Sequence, residues 1–252
     1  MQMVAISTGQ VRSKRTARGM RRYLPGGWSD DTEPVNVFAV MHPDGVLLFD
    51  TGQSAAAGRP GFLPRWHPYL RLARFELTPE DEAAAQLRGL GIDPAAVRWV
   101  VLSHLHTDHV GGLAAFARAE VVVSGTEWAR ASGLGGRLRG YVPRQWPRAV
   151  IPRLARFDGP AVGPFPCSED LAGDGRLVLV PTPGHTVGHI SLLVRADACT
   201  YLLAGDLVHT GEELQAVAPD IAAYCQANGA VVLATHDPAA LDLVSDPSAA
   251  RS

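Results

Sequence analysis

A cluster of potential metal ligands occupies residues 103–109, with the pattern His-x-His-x-Asp-His. His104 and His106 are two residues apart, and on an extended segment this spacing points both side chains to one face, where they can bind one ion. Asp108 and His109 follow after a turn and can face a second ion. Imidazole and carboxylate without thiolate suit a hydrolytic ion such as zinc, or manganese or iron. The run therefore predicts a metal site.

Three further apolar runs also end in a residue that can bind a metal. Those residues are His185, at the tip of a loop rich in proline and glycine, Asp206 and His236. The runs that precede them are residues 176–180, 200–204 and 230–234. Binding residues are common on loops at the end of a rigid sheet. The repeated arrangement strengthens the prediction of a metal site.

The elements that must position these ligands are short strands mixed with helices. Residues 35–49 indicate two strands joined by a Pro-Asp-Gly turn, and the second strand leads into Asp50. Thr78 is a suitable cap for a helix that should end near Gly89 or Gly91. Further strands are predicted over residues 98–103, 120–124 and 190–195. Such a mixture favours an α/β protein with mixed sheets.

The length and composition predict one large globular domain. The chain has 252 residues, of which 46% are hydrophobic, enough for one sizeable core. We expect a single domain over residues 1–252, with an N-terminal extension over residues 1–30 that could be flexible and a short C-terminal tail over residues 237–252. The cysteines are odd in number and widely spaced, which predicts buried free thiols at Cys167, Cys199 and Cys225.

Charge and hydropathy indicate which classes of partner and which cellular compartment to expect. The net charge is −2, which gives no indication of a nucleic-acid partner. The sequence shows no secretory signal and no apolar run that is long enough to span a bilayer. We therefore expect a cytoplasmic enzyme with no membrane partner.

The set formed by His-x-His-x-Asp-His, the Thr-Pro-Gly-His loop, Gly-Asp and a late His resembles the metallo-β-lactamase-fold hydrolases. The resemblance runs over about residues 35–236. It implies a four-layer αββα sandwich, in which two mixed β-sheets flanked by helices hold a dinuclear metal centre, most often of zinc, at their upper edges. By position it assigns His104, His106 and His185 to the first ion, Asp108, His109 and His236 to the second, and Asp206 to the bridge between them.

The chemistry implied by two adjacent ions is hydrolysis. They lower the pKa of a bridging water from 15.7 to roughly 7, so that a hydroxide can attack an ester or lactone carbonyl. Asp108 or Asp206 can take up the proton and pass it to the leaving oxygen. Asp50 matches a position that supports the ligands in this superfamily, but an ordinary turn cap explains an Asp-Thr-Gly equally well.

Several stretches resemble the N-acyl-homoserine lactonases in particular, namely residues 77–112, the pair Glu127-Trp128 and residues 182–194. The resemblance implies that the substrate is an N-acyl-homoserine lactone and that the role is quorum-signal quenching. Lactonases of this kind carry a tyrosine three residues after the bridging aspartate, which binds the substrate carbonyl. His209 stands at that position here, and its imidazole could donate the same hydrogen bond.

Other functions stay open from the sequence. A glyoxalase II-like thioesterase, another esterase or a phosphodiesterase would use the same metal motif, and a di-iron redox or sensing module is the non-enzyme alternative. The arginine-rich residues 130–156 could clamp a phosphate, form a solvated face or form the surface of a homodimer. In the loop over residues 53–75, Phe62, Trp66 and Tyr69 could line an acyl-chain channel or anchor the loop.

Overall fold

Two β-sheets form the body of the protein in the computed structural model, which describes residues 1–13, 28, 30–59, 62, 73–133, 136, 140–147 and 150–247. The larger sheet consists of β1 (Gln2–Ser13), β2 (Glu33–His42), β3 (Gly45–Phe49), β4 (Ala73–Glu76), β5 (Val97–Val101), β6 (Glu120–Ser124) and β7 (Arg153–Ala155). The smaller sheet consists of β8 (Glu169–Asp170), β9 (Leu177–Pro181), β10 (Ile190–Arg195), β11 (Thr200–Gly205) and β12 (Val231–Ala234).

Both sheets mix parallel and antiparallel pairs, as predicted. The spatial orders are β4-β1-β2-β3-β5-β6-β7 and β12-β11-β10-β9-β8. β3, β5, β6 and β7 run parallel to one another, and so do β11 and β12, while the other pairs are antiparallel. Because parallel strands end at the same edge of a sheet, residues that follow β3 and β5, or β11 and β12, are brought together.

The predicted hairpin over residues 35–49 is confirmed as β2 and β3. Met41 pairs with Val46, and His42 pairs with Gly45 across the turn. Gly45 has a φ of 135°, a conformation that glycine adopts without steric cost. The hairpin therefore delivers Asp50 to the end of β3.

The helices are short. They are α1 (Ala83–Gly89), α2 (Thr107–Val110), α3 (Gly125–Ser132), α4 (Leu214–Val217), α5 (Pro219–Ala227) and α6 (Ala240–Ser245). The helix predicted after Thr78 begins with a 3-10 turn, Pro79–Asp81, and α1 then ends at Gly89 as expected. The Thr78 backbone N–H donates to the Asp81 carboxylate at 2.7 Å, a capping box that stabilises this start. In the described part of the chain, no helix is long and apolar enough to cross a membrane.

Strand alternation creates the four layers. Val100 packs in the cluster on the outer, helix-covered face of the larger sheet, whereas Val101 packs between the sheets. Leu203 packs between the sheets and Leu202 packs on the outer face of the smaller sheet, against Leu214 of α4. Successive side chains of a strand point to opposite faces, so each central strand contributes to two clusters. The predicted αββα sandwich is confirmed.

Residues near both ends of the chain form regular secondary structure. In place of an extension over residues 1–30, residues 2–13 form β1, which pairs with β2 on one side and β4 on the other. Ile6, Thr8 and Val11 of β1 are buried. The basic residues that follow β1 in the sequence made this strand difficult to predict. Residues 14–27 lie outside the described part. The expected C-terminal tail contains α6, which packs against β1.

Candidate metal centre

The ligand-type residues meet at one edge of the sandwich. His104 and His106 follow β5, and Asp108 and His109 lie in α2 directly after them. The other three come from the smaller sheet: His185 from the loop between β9 and β10, Asp206 from the end of β11 and His236 from the end of β12. The structure brings all seven predicted metal-site residues into one cluster.

The first group of ligand atoms comes from His104, His106 and His185, whose ring nitrogens lie within 4.8 Å of one another. The Nδ1 atom of His106 lies 2.9 Å from Nε2 of His104 and 3.0 Å from Nε2 of His185. A neutral imidazole offers one lone pair, so a single nitrogen cannot accept from both neighbours. A cation placed among the three nitrogens would take a lone pair from each, and this donor set therefore fits a divalent ion.

The second group consists of Asp108, His109 and His236. Nε2 of His109 lies 4.0 Å from Oδ1 of Asp108, and Nε2 of His236 lies 3.9 Å from Oδ2 of Asp108. All three residues are buried. Two imidazoles and a carboxylate that converge in a buried space form a second donor set suited to a divalent ion.

Asp206 lies between the two groups. Its Oδ2 is 3.4 Å from Nε2 of His185 and 3.8 Å from Nε2 of His104. Its Oδ1 is 3.3 Å from Nε2 of His109 and 3.5 Å from Nε2 of His236. Oδ1 of Asp206 and Nε2 of His109 are buried without an aligned hydrogen-bond partner, which is costly unless the site holds a further charged group. Each oxygen of Asp206 thus faces one of the two groups of ligand atoms, which is the arrangement that a carboxylate bridging two ions requires.

The two groups differ in charge without bound ions. Burial lowers the pKa of His104, of His185 and of His106, to about 4 for His106, so this group is neutral at pH 7. Burial also lowers the pKa of His236, but the Asp206 carboxylate outweighs it and raises the value to about 9. Asp206 and Asp50 raise the pKa of His109 in the same way. The second group therefore carries protons that an incoming cation must displace.

The Asp50 carboxylate accepts hydrogen bonds from residues on both sides of the His104–His106 pair. Its Oδ1 accepts the Ser103 backbone N–H at 2.7 Å, and its Oδ2 accepts the Ser103 hydroxyl at 2.8 Å and Nδ1–H of His109 at 2.8 Å. The φ of Asp50 is 61°, a strained conformation that aspartate tolerates better than most residues. Of the two interpretations that the sequence leaves open, these contacts favour support of the ligands over a simple turn cap.

Hydrogen bonds behind the rings also select the nitrogens that face the centre. Nδ1 of His104 lies 3.0 Å from the Ser103 hydroxyl, which donates to Asp50 and so accepts from the ring. Nδ1 of His236 lies 2.9 Å from the Pro34 carbonyl oxygen and donates to it. Both contacts leave Nε2 free to bind a cation, which is how metal-binding histidines are usually oriented.

His189 supports Asp206 and does not join either group. It is 1% exposed, and its Nε2 accepts the backbone N–H of Asp206 at 3.1 Å, while Nδ1 contacts the Thr182 hydroxyl at 2.9 Å. A Cβ atom on Gly205, which has a φ of 57°, would lie 2.6 Å from Nε2 of His189. Glycine at this position therefore allows the close approach that places Asp206. The interpretation of His189 as a supporting residue agrees with these contacts.

His209 lies at the rim of the centre, half exposed beside the second group. Its ring centroid is 5.6 Å from that of His236, and its Nδ1 is 3.7 Å from Oε1 of Glu33. The nearby Glu33 carboxylate raises the pKa of His209, which favours the imidazolium form and hence two ring N–H donors. The position suits a donor to a substrate oxygen.

Other predicted features lie away from the centre. Arg153 pairs with Glu120 and Glu169, so this described part of the arginine-rich stretch is directed at carboxylates of the protein. His42 is 8% exposed, its Nε2 lies 2.9 Å from Oδ2 of Asp174, and its ring packs against Trp99. Arg137, Arg139 and Arg148 lie outside the described residues.

Two expectations concern single side chains. All three cysteines are free, but only Cys225 is buried, and Cys167 and Cys199 are partly exposed. Of the three aromatic residues that could line an acyl-chain channel or anchor their loop, Phe62 is half buried, whereas Trp66 and Tyr69 lie outside the described residues.

The sequence of the chain is similar to known metallohydrolases over most of its length. The profile of the Metallo-beta-lactamase superfamily matches residues 30–242. The N-acyl homoserine lactonase AttM of Azorhizobium caulinodans is 32% identical in an alignment of 244 positions that covers 84% of this chain and 85% of that protein. An N-acyl homoserine lactonase from a Bacillus species is 27% identical over 191 residues, 74% of this chain and 68% of that protein.

Solved structures share the fold. An N-acyl homoserine lactone hydrolase with the product N-hexanoyl-L-homoserine bound at its catalytic metal centre has a TM-score of 0.72 at 20% identity, over 94% of this chain and 95% of that one. AidC, a dizinc quorum-quenching lactonase, has a TM-score of 0.61 at 15% identity, over 94% and 87% of the two chains. With the matched profile, the two sheets and the two ligand groups, the chain belongs to the metallo-beta-lactamase superfamily.

Proposed function

We propose that this protein is a dinuclear-metal hydrolase that opens the lactone ring of N-acyl homoserine lactones, with zinc as its metal. The observation that carries the proposal is the position of Asp206, whose two carboxylate oxygens face two separate groups of ligand atoms. The relatives that match most of the chain are named for this activity. The product would be the open N-acyl homoserine, with one proton released for each ester bond hydrolysed.

The side chains have distinct roles in this proposal. His104, His106 and His185 would hold one ion, Asp108, His109 and His236 the other, and Asp206 both. When bound, the two ions supply a water of low pKa and polarise the carbonyl. Asp206 would hold both ions through its two carboxylate oxygens, so we assign proton transfer to the ring oxygen to Asp108.

An apolar cavity beside the centre supports a substrate with a hydrocarbon chain. Its volume is about 470 Å³, and its wall includes His185, Phe165, Leu207 and Ile221. The Thr182 hydroxyl, also in the wall, already contacts His189 and Ser191. The lining residues include no carboxylate, lysine or arginine. Burial of each methylene of an acyl chain stabilises binding by about 0.8 kcal/mol, so longer acyl chains should bind more tightly.

The proposal predicts proton release from acyl-homoserine lactones by the zinc-loaded protein. The measurement follows pH in a weakly buffered solution with butanoyl, hexanoyl and decanoyl homoserine lactones. We expect kcat/KM to rise with chain length as the cavity fills. His106→Ala removes the atom that two other ring nitrogens contact and should abolish proton release.

Proton release that persists in His106→Ala would assign the activity to another site. No release by a protein that contains two zinc ions would reject lactones. The same assay with thioesters, simple esters and a phosphodiester would then identify which of the other substrate classes is hydrolysed.

His209 is the residue that we propose to donate a hydrogen bond to the substrate carbonyl. His209→Ala should lower kcat by about 10²-fold, the usual effect of the loss of one such donor, with two zinc ions still bound. His209→Tyr retains a donor and should recover most of the rate. An unchanged rate in His209→Ala, measured with the same lactone series, would remove His209 from the mechanism.

A further inference from the structure

One buried carboxylate near the centre has no part in the chemistry described above. Glu127 lies in the first turn of α3, and none of its surface is exposed. Its backbone N–H donates to the Ser124 hydroxyl at 3.3 Å, which is an ordinary helix cap. The side chain, however, extends into the protein, where a carboxylate is costly unless polar groups compensate it.

The first of those polar groups belongs to the ligand segment. The backbone N–H of Leu105 donates to Oε1 of Glu127 at 3.0 Å. Leu105 lies between His104 and His106, so this hydrogen bond fixes the peptide that connects two members of the first group. A hydrogen bond to a charged acceptor is stronger than one between neutral groups.

The second contact is with Tyr141. Burial, and then the Glu127 carboxylate, raise the pKa of the Tyr141 hydroxyl. The Tyr141 ring centroid lies 5.2 Å from that of His106, and the two residues form a backbone β-bridge. Tyr141 therefore connects Glu127 to the segment that carries His106.

The third contact is with the loop that carries His185. A Cβ atom on Gly188 would lie 2.6 Å from Cα of Glu127 and 2.7 Å from its Cβ. The absence of a side chain at Gly188 therefore lets this loop pack directly on the start of α3. The Glu127 carboxylate thus contacts the segment that carries His104 and His106, and the backbone and Cβ of the same residue pack against the loop that carries His185.

We propose that Glu127 is a positioning residue for His104, His106 and His185 and that it sets the affinity of that one metal position. The second group has other supports: Asp50 holds His109, and the Pro34 carbonyl holds His236. Loss of Glu127 should therefore lower the affinity for one ion and leave the affinity for the other unchanged. The inference rests on the metal centre of the proposed function but not on the identity of the substrate.

The test is zinc binding in competition with a chromogenic chelator, with no substrate present. In Glu127→Ala, we expect the affinity for one zinc ion to fall about 10- to 100-fold, the range typical of residues that orient metal ligands. The affinity for the other ion should stay within threefold of the wild type. Glu127→Ala and His185→Ala should lower the affinity for the same zinc ion. His236→Ala should lower the affinity for the other one.

Two conservative variants distinguish the hydrogen bond that Glu127 accepts from the charge of its carboxylate. Glu127→Gln keeps an oxygen that can accept the Leu105 N–H and should recover most of the affinity. Tyr141→Phe removes only the hydroxyl beside Glu127 and should weaken the same ion by severalfold. If Glu127→Ala does not fold, these two variants decide: zinc binding in Tyr141→Phe that equals the wild type, or a Glu127→Gln that weakens the binding of both ions equally, would overturn the proposal.

Glu169 is the matched control, since it is also a buried glutamate at 2% exposure. It pairs with Arg153 and accepts the Arg156 backbone N–H, away from the ligand groups. Glu169→Ala should lower the melting temperature and leave both zinc affinities unchanged. If Glu127→Ala behaves in the same way, or weakens both ions equally, Glu127 is a structural residue and has no specific role at the first metal position. Failure to hydrolyse lactones would leave these zinc affinities unaffected.

Discussion

Replacement of Asp206 by alanine should lower the free energy of unfolding of the metal-free protein by about 3–5 kcal/mol at neutral pH, the typical cost when one partner of a buried ion pair is removed. The pKa values of His109 and His236 are raised by Asp206, so both rings are protonated next to it. Without the carboxylate they must lose their protons or remain as buried, uncompensated charges. The measurement is urea unfolding followed by circular dichroism after removal of metal with a chelator.

Asp237 provides the control for this substitution. It is 6% exposed, against 7% for Asp206, and its carboxylate accepts the backbone N–H groups of Gly211 and Ala239, each at 2.9 Å. Asp237→Ala should therefore cost about 1–3 kcal/mol, as expected for buried donors that lose their acceptor. Equal losses in the two variants would show that Asp206 carries no special electrostatic role. The same Asp206→Ala protein should also fail to bind two zinc ions.

The metal-free protein should be most stable near pH 6.5 and lose stability on both sides. On the alkaline side the causes are His236, whose pKa rises from 6.5 to about 9 in the fold, and His109, whose pKa is also raised well above 6.5. A raised pKa gives stability that is fully present below 6.5 and is lost as the pH rises through the folded value. The share of the loss that His236 causes should approach about 3 kcal/mol, because each unit of pKa difference corresponds to 1.36 kcal/mol.

On the acidic side the cause is the set of histidines buried in the neutral form. Burial lowers the pKa of His106 to about 4 and that of His189 to about 3. The unfolded chain takes up protons on these residues at about pH 6.5 while the folded protein does not, so stability falls from pH 6.5 towards pH 4. The lowered pKa of Asp206 acts only below its ordinary value of 3.8, outside this window.

The measurement is the free energy of unfolding in urea at pH 5, 6.5 and 8.5, with a chelator present. His236→Gln should remove the His236 share of the alkaline decline, while the share of His109 and the acidic decline stay in place. Saturating zinc should also reverse the alkaline trend, because metal binding requires deprotonated ligands and stabilises the folded state more strongly at higher pH. Stability of the metal-free protein that is flat between pH 6.5 and 8.5 would contradict the raised pKa of His236.

The sequence by itself was sufficient to choose the residues that the fold brings together at one sheet edge, and its family resemblance was sufficient for the architecture. Short apolar runs predict strands, and a histidine or aspartate directly after a run is placed at a sheet edge wherever the strand lies. For this reason His104, Asp206 and His236 could be chosen without coordinates, and the hairpin over residues 35–49 follows from local turn chemistry. These features depend on residues close together in the chain.

Only the tertiary structure decided which residues support the ligands. Asp50 precedes His109 by 59 positions and Glu127 follows Leu105 by 22, and a contact over such a distance leaves no periodic signal in the sequence. The place of β1 in the sheet depends on its pairing with β2, and the burial of His42 depends on Asp174. Burial and charge then set the proton content of each group, and both are properties of the assembled fold.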